Sequence, residues 1–132
     1  INNANDLEFS SETITTIKLP TQGNIGYTKA CNILWNHAFE KHDFDAVITA
    51  NPDGMFFHDT LDELLKFHER FPNALIEATQ FPEEHPKTFD PETYDTEWAS
   101  GCCLLVNRAI FNTLGYLDDA FFLYMEDVDY SW

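Results

Sequence analysis

The apolar run Ala46-Val47-Ile48-Thr49-Ala50, closed by Asn51-Pro52-Asp53-Gly54, constrains this chain more than any other stretch. β-Branched residues favour a strand and a proline turn ends it, so the run predicts a strand over 45–50 with an acid at its carboxyl end. Open α/β sheets bind their ligands at that end, which makes Asp53 a candidate functional residue. The tetrapeptide is also good turn chemistry by itself, with Asn at the first corner and Pro fixing φ at the second. Both readings stand at this point.

The chain on either side alternates between strand and helix patterns. Residues 1–6 read as a strand end followed by a polar turn, and the β-branched stretch 13–19 as a strand. Ala30, Cys31, Ile33, Leu34, Ala38 and Phe39 recur at helical spacing, predicting a helix over 26–41. His58-Asp59-Thr60 opens a second helix that Pro72 stops. A strand over 74–79 precedes an acidic, proline-interrupted stretch at 81–96, without periodicity, of the kind that is functional or mobile in compact domains. The apolar run 98–106 predicts a buried strand with Gly101 inside it, where something approaches the backbone closely. Arg108 to Leu114 reads as a short helix capped by Gly115, and Glu126-Asp127 begins another. The alternation predicts one α/β domain over 1–132, a sandwich with a mostly parallel sheet and flanking helices. The absence of an initial Met and the last helix starting just before Trp132 suggest a piece of something longer.

Charge narrows the function. Seven Lys and Arg against 23 Asp and Glu give a net charge of -16, which repels phosphate backbones and disfavours nucleic-acid binding. An anionic small-molecule ligand then needs a divalent cation to bridge it to carboxylates. A hydrophobic content of 44%, with twelve phenylalanines, argues for a packed core. Cys31, Cys102 and Cys103 form neither an even disulfide framework nor a C-x-x-C pair, and read as reduced, buried thiols of a cytosolic protein. No run approaches the ~20 apolar residues of a membrane span.

Acids fall at element boundaries: Asp6, Asp53, Asp118 and the pair Glu126-Asp127. At parallel strand ends, Asp6, Asp53 and Glu126-Asp127 can converge on one crevice, pairing a metal with a general base. Oxygen ligands of this kind suit Mg²⁺ or Mn²⁺. Equally, Glu126-Asp127 suits a helix start, where acids complement the macrodipole. The five histidines show no zinc spacing and read as solvated or core residues. No P-loop, G-x-G-x-x-G or G-x-S-x-G is present, and Cys102 and Cys103 lie in an apolar run with no adjacent base.

Four blocks resemble the inverting family 2 glycosyltransferases of GT-A fold, in particular their rhamnosyltransferase-like branch, nearly end to end. Residues 24–32 resemble that branch's Asn-x-Gly-(x)3-Ala-x-Asn segment, and Asn51-Pro52-Asp53 its DxD metal motif with Asn replacing the first Asp. Residues 98–106 are similar to the Trp-x-Ser-Gly-(x)2-Leu-Leu-Val strand. The segment 117–129, with Glu126-Asp127, resembles the stretch that carries the catalytic acids. The resemblance implies a GT-A domain lacking its first strand and C-terminal region. It implies Asp127 as the base that deprotonates the acceptor hydroxyl, with Glu126 shaping the acceptor pocket, and Asp53 as the ligand of Mg²⁺ or Mn²⁺ on the donor diphosphate. Asn2 stands where relatives carry an Asp against the nucleobase. Asn24 and Gly26 would lie along the nucleotide, Ser100 and Gly101 would line the donor sugar, and Asn32 and Asn51 are further donor-binding positions.

What the resemblance implies is sugar transfer with inversion, from a nucleotide-diphosphate donor such as dTDP-rhamnose or a UDP-hexose to a glycan or lipid-linked acceptor. Polysaccharide or surface glycan synthesis is the expected setting, in the cytoplasm or at the inner face of the membrane. The competing readings are a catalytically silent sugar-nucleotide-binding or interaction module and, less well matched, a nucleotidyltransferase, whose Gly-rich basic signature the chain lacks.

Overall fold

A computed structural model describes Ile17, Leu19 and residues 23–132. The strand end at 1–6, with Asn2 and Asp6, lies outside the described residues, as does nearly all of the strand expected over 13–19. The described elements are helix α1 (Tyr27–Trp35), strand β1 (Ala46–Ala50), helix α2 (Thr60–Arg70), strand β2 (Ile76–Glu77), strand β3 (Cys103–Asn107), helix α3 (Arg108–Leu114) and helix α4 (Glu126–Ser131). The chain is thus α/β, as its pattern predicts.

The three described strands lie in the order β1-β3-β2, and both pairings are antiparallel. This departs from the mostly parallel sheet expected. From β1 to β2 the chain makes the anticipated strand-helix-strand passage through α2, so those two strands run the same way, but β3 separates them. Between β2 and β3 there is no helix to carry a parallel crossover. Residues 78–102 instead wander irregularly and enter the sheet from its other end, in register Ala46 with Asn107 and Ala50 with Cys103.

Strand β3 is buried along its whole length because helices cover both of its faces. Leu104 and Val106 pack with Cys31, Trp35, Phe39, Phe111, Leu117 and Tyr130 on the side of α1, α3 and α4. Cys103 and Leu105 point the other way, to Leu64 of α2 and Ile76 of β2. Two polar contacts inside these layers match donor to acceptor: Trp35 Nε1 donates to Thr49 Oγ1 at 3.0 Å, and Tyr130 OH to the Gly115 carbonyl at 2.9 Å. Buried surroundings push the Tyr130 hydroxyl up to about 12.

Element edges depart from the sequence pattern where tertiary contacts intervene. Helix α1 passes at Asn36–Glu40 into a π-helical turn, closed by Lys41 N–H to Asn36 O at 3.3 Å, so the predicted helix over 26–41 is one element of two pitches. Asn107 ends β3 and caps α3: its Oδ1 accepts from Ile110 N–H at 2.9 Å while its Nδ2 donates to Pro72 O at 2.8 Å. Gly115 closes α3 with φ 78°, as its position predicts. The predicted strand over 98–106 begins only at Cys103, because residues 99–102 break away into a turn.

Leu105 is fully buried and Leu65, on the outer face of α2, is 48% exposed. Leu105→Ala is expected to lower unfolding free energy by about 2–5 kcal/mol and Leu65→Ala by no more than about 0.5 kcal/mol, measured by urea denaturation.

Candidate functional site at the Ser100–Cys102 turn

The turn that interrupts the predicted strand is where the separated sequence blocks meet. Its backbone groups are held by side chains and loops rather than by a ladder. Gly101 N–H donates to Asp127 Oδ2 at 2.9 Å, and the Gly101 carbonyl accepts a hydrogen bond from Tyr27 OH. The Cys102 carbonyl accepts from Asn51 N–H at 2.9 Å. Thus the start of α1, the end of β1 and the start of α4 each attach to residues 101–102. Gly101 has no side chain because a Cβ there would stand 2.9 Å from Tyr27 OH. The close approach read from the sequence is therefore real, and the Tyr27 ring makes it.

Asp127 is half-buried, and its second oxygen, Oδ1, accepts Val128 N–H at 2.9 Å. Each carboxylate oxygen keeps a further lone pair, so both bonds orient the group and leave it able to accept a proton. Its own carbonyl accepts from Ser131 Oγ at 2.7 Å. Glu126 is 4% exposed and its Oε2 has no hydrogen-bond partner among the described residues. Burial, with the Asp127 charge adding to it, raises its carboxyl above the ordinary value. The two residues before the pair, Tyr124 and Met125, adopt φ of 70° and 74°. That left-handed corner, uncommon for side-chain-bearing residues, turns the exposed loop sharply into α4.

The opposite wall is the start of α1. Asn24 Oδ1 accepts Gly26 N–H at 2.9 Å, and Tyr27 N–H, unpaired within the helix, donates to Phe122 O at 2.9 Å. Gly26 has φ of 85°, and a Cβ on it would lie 2.5 Å from that same carbonyl. Tyr27 N–H thus joins the helix start to the loop that leads into Glu126-Asp127, and Gly26 leaves room for the Phe122 carbonyl. Asn51 reaches the turn twice, by its backbone and by Nδ2, which lies 3.6 Å from Cys102 Sγ.

Other predicted positions stand differently. Ser100 is 1% exposed, and its hydroxyl accepts Cys102 N–H and Gln80 Nε2, both at 3.2 Å, so it braces the turn from inside. Asn32 spends its amide on Leu117, donating at 2.8 Å and accepting at 3.0 Å, and so ties α1 to the segment before α4. Asp118 Oδ1 caps its own loop through Ala120 N–H at 2.9 Å. Asp53 lies exposed in the turn after β1. Among the described residues no three His, Cys, Asp or Glu side chains stand close enough to hold a metal. Asp53 is thus part of no all-protein metal cage among the described residues.

Sequence reasoning missed Tyr27, Glu77, Lys87 and Ser131, all of which hold the turn. Nothing in their local pattern distinguishes them from helix, strand and loop residues. It also found no base near Cys102, yet His85 Nε2 lies 3.9 Å from Cys102 Sγ. Cys31 and Cys103 are buried as expected, and burial pushes the Cys31 thiol up to about 12; Cys102 is only half-buried. A cleft of about 740 Å³ between α2, β2 and residues 89–98 includes Glu77, Ala99 and Ser131 in its walls but neither Gly101 nor Asp127.

Comparison with known proteins agrees with the motif blocks. An N-acetylglucosaminyl-diphospho-decaprenol L-rhamnosyltransferase, found in two strains of Mycobacterium tuberculosis, is 32% identical over 84% of this chain and 50% of its own length. The chain belongs with the family 2-like glycosyltransferases. A low-salt glycan biosynthesis hexosyltransferase of Haloferax volcanii is 21% identical over 83% of this chain and 43% of its own. The chain spans about half the length of the mycobacterial glycosyltransferase it matches. No family model and no solved structure matches it. Among the described residues, no helix is long and apolar enough to cross a membrane.

Two measurements test the site's construction. Gly26→Ala is expected to cost at least about 1–3 kcal/mol in unfolding free energy through its φ alone, with the Phe122 clash adding to it. For Glu126, folding favours the protonated carboxyl, so its contribution is complete below about pH 4.5 and lost as pH rises through the raised folded value. Glu126→Gln cannot ionise and is expected to gain stability over the wild type across that rise; parallel pH–stability curves would refute the burial effect.

Proposed function

We propose that this chain is the donor-binding part of a GT-A glycosyltransferase that moves a sugar from a nucleotide-diphosphate donor to an acceptor hydroxyl, with inversion and with a divalent metal. The observation that carries this reading is the attachment of Asp127 and Asn51 to adjacent residues of one turn, through Gly101 N–H and the Cys102 carbonyl. That convergence sets an oriented carboxylate beside the strand end from which Asp53 projects. It is the arrangement that a displacement needs, with a proton acceptor on one side of the reacting carbon and charge control on the other.

In this mechanism Asp127 takes the proton of the acceptor hydroxyl as its oxygen attacks the anomeric carbon. Its two backbone hydrogen bonds hold the receiving oxygens in place before and after the transfer. Glu126, buried behind it, shapes the acceptor side. Asn24, Gly26 and Asn51 line the approach to the nucleotide, and the motif resemblance assigns Asn2, outside the described residues, to the base. Asp53 would hold Mg²⁺ or Mn²⁺ together with the donor diphosphate, and that ion would supply neutralisation of the departing phosphates. Such a cation reconciles an anionic donor with a net charge of -16.

The relatives, a rhamnosyltransferase and a glycan biosynthesis hexosyltransferase, support a rhamnosyl or hexosyl donor and a glycan or lipid-linked acceptor; dTDP-rhamnose or a UDP-hexose is the donor that the motif resemblance adds. A lipid-linked acceptor would bring the protein to the inner face of a membrane. Asp53, exposed and in no cluster of three acids, histidines or cysteines among the described residues, favours one second reading, a sugar-nucleotide-binding module without turnover.

Turnover of dTDP- and UDP-sugars by the full-length protein, with and without Mn²⁺, separates the two. Asp127→Asn is expected to reduce kcat by at least about 100-fold while donor affinity stays within about threefold. Unchanged turnover in that variant removes Asp127 as base. Donor binding by the wild type with no turnover at all supports the binding module.

A further inference from the structure

We propose that Lys87 and Glu77 are positioning residues, a buried ion pair that sets the Ser100-Gly101 peptide and thereby aims the Asp127 carboxylate. The inference rests on the role given to Asp127 above. Glu77 ends the two-residue edge strand β2, and Lys87 comes from the irregular stretch that follows it. Their side chains are joined directly, Lys87 Nζ to Glu77 Oε1, and are 3% and 14% exposed. This chain has only seven Lys and Arg against 23 acids, yet it buries one of them.

Burying an ion pair is a poor route to stability, because desolvation offsets most of the attraction. What distinguishes this pair is where its remaining bonding capacity goes. Glu77 Oε2 accepts Ser100 N–H at 2.5 Å, and Lys87 Nζ donates to the Trp98 carbonyl at 2.9 Å. The ammonium also sits 4.3 Å from the centre of the Trp98 ring, a desolvated cation–π contact. The pair therefore grips the backbone on both sides of Ala99. The Ala99 N–H is taken by Ser131 Oγ at 3.1 Å, from the helix that begins with Glu126-Asp127.

With residues 98–100 held in this way, the next N–H, that of Gly101, points at Asp127 Oδ2. A glycine peptide has little conformational preference of its own, so its direction depends on what is attached to its neighbours. Removing the grip frees that peptide to rotate and leaves the carboxylate with one oriented oxygen instead of two. Small misplacements of a reacting group cost rate far more than they cost fold.

The test compares Glu77→Gln, Lys87→Met and the double variant in the full-length protein, using two readouts. Amide hydrogen exchange at Ser100 and Gly101 is expected to rise at least about tenfold in each variant, while amides of β3 and α1 keep wild-type exchange. With nucleotide sugar as substrate, kcat is expected to fall roughly 10- to 100-fold while donor KM changes less than about threefold. The double variant, which leaves no unpaired buried charge, is expected to fold and to be no slower than the slower single variant, because the pair acts as one unit. Wild-type kcat in the folded double variant overturns the proposal, and so does exchange that rises equally throughout the sheet. If the wild type turns over no nucleotide sugar, the proposed function fails, and exchange confined to Ser100 and Gly101 still decides the positioning claim.

Discussion

A carboxylate oxygen of Asp127 and the N–H of Gly101, 2.9 Å apart, join the last helix to the turn before the central strand, and the geometry of the site depends on that turn. A single hydrogen bond of this kind contributes roughly 1 kcal/mol net, and more when one partner is charged. Its weight here comes from company. Tyr27, Asn51, Glu77, Lys87 and Ser131 each hold one backbone group between Trp98 and Cys102, so α1, β1, β2 and α4 converge on five consecutive residues. Each of those backbone groups would otherwise lie unpaired at the edge of a buried strand, which is costly enough to make the arrangement interdependent.

Electrostatics follow the same division. The surface carries the large negative excess, but the interior contains a small set of charges, each with an identifiable partner or consequence. Lys87 and Glu77 neutralise one another beside the turn. Glu126, one of two adjacent acids, is buried with an unpartnered oxygen and a raised carboxyl pKa, whereas Asp127 remains half-exposed with both oxygens bonded. Two neighbouring carboxyls in unlike surroundings are suited to different tasks. In the proposed mechanism one would shape a wall and the other would face the reacting groups.

Much of the architecture is legible in local pattern. Periodicity identifies α1 and α2, β-branching identifies β1, and Gly115, after α3, and Pro72 mark stops that the structure respects, because these signals act within a few residues. Strand direction is not legible in the same way. The pattern predicted a mostly parallel sheet, but β3 runs antiparallel to both neighbours because residues 78–102 contain no helix and re-enter from the other end. The run 98–106 shows a similar limit. Its apolar character describes burial correctly, while the loss of strand geometry at 99–102 is imposed by side chains from 23 to 74 positions away, such as Glu77 on Ser100 N–H and Tyr27 on the Gly101 carbonyl.

By itself the sequence determined the family and the residues most suited to chemistry: Asp53 after a proline turn, Glu126-Asp127 at a helix start, and Gly101 inside an apolar run. Those are properties of residue type and spacing, and they persist whatever surrounds them. Only the tertiary structure decided which of these residues meet, that Asn32 is spent on Leu117 and Ser100 on bracing the turn, and that a lysine and a glutamate with no motif of their own grip the peptide beside Asp127. The physical reason is that hydrogen bonds and ion pairs are satisfied over a few ångströms of space, between atoms that the chain brings together only when its two hydrophobic layers have closed around β3.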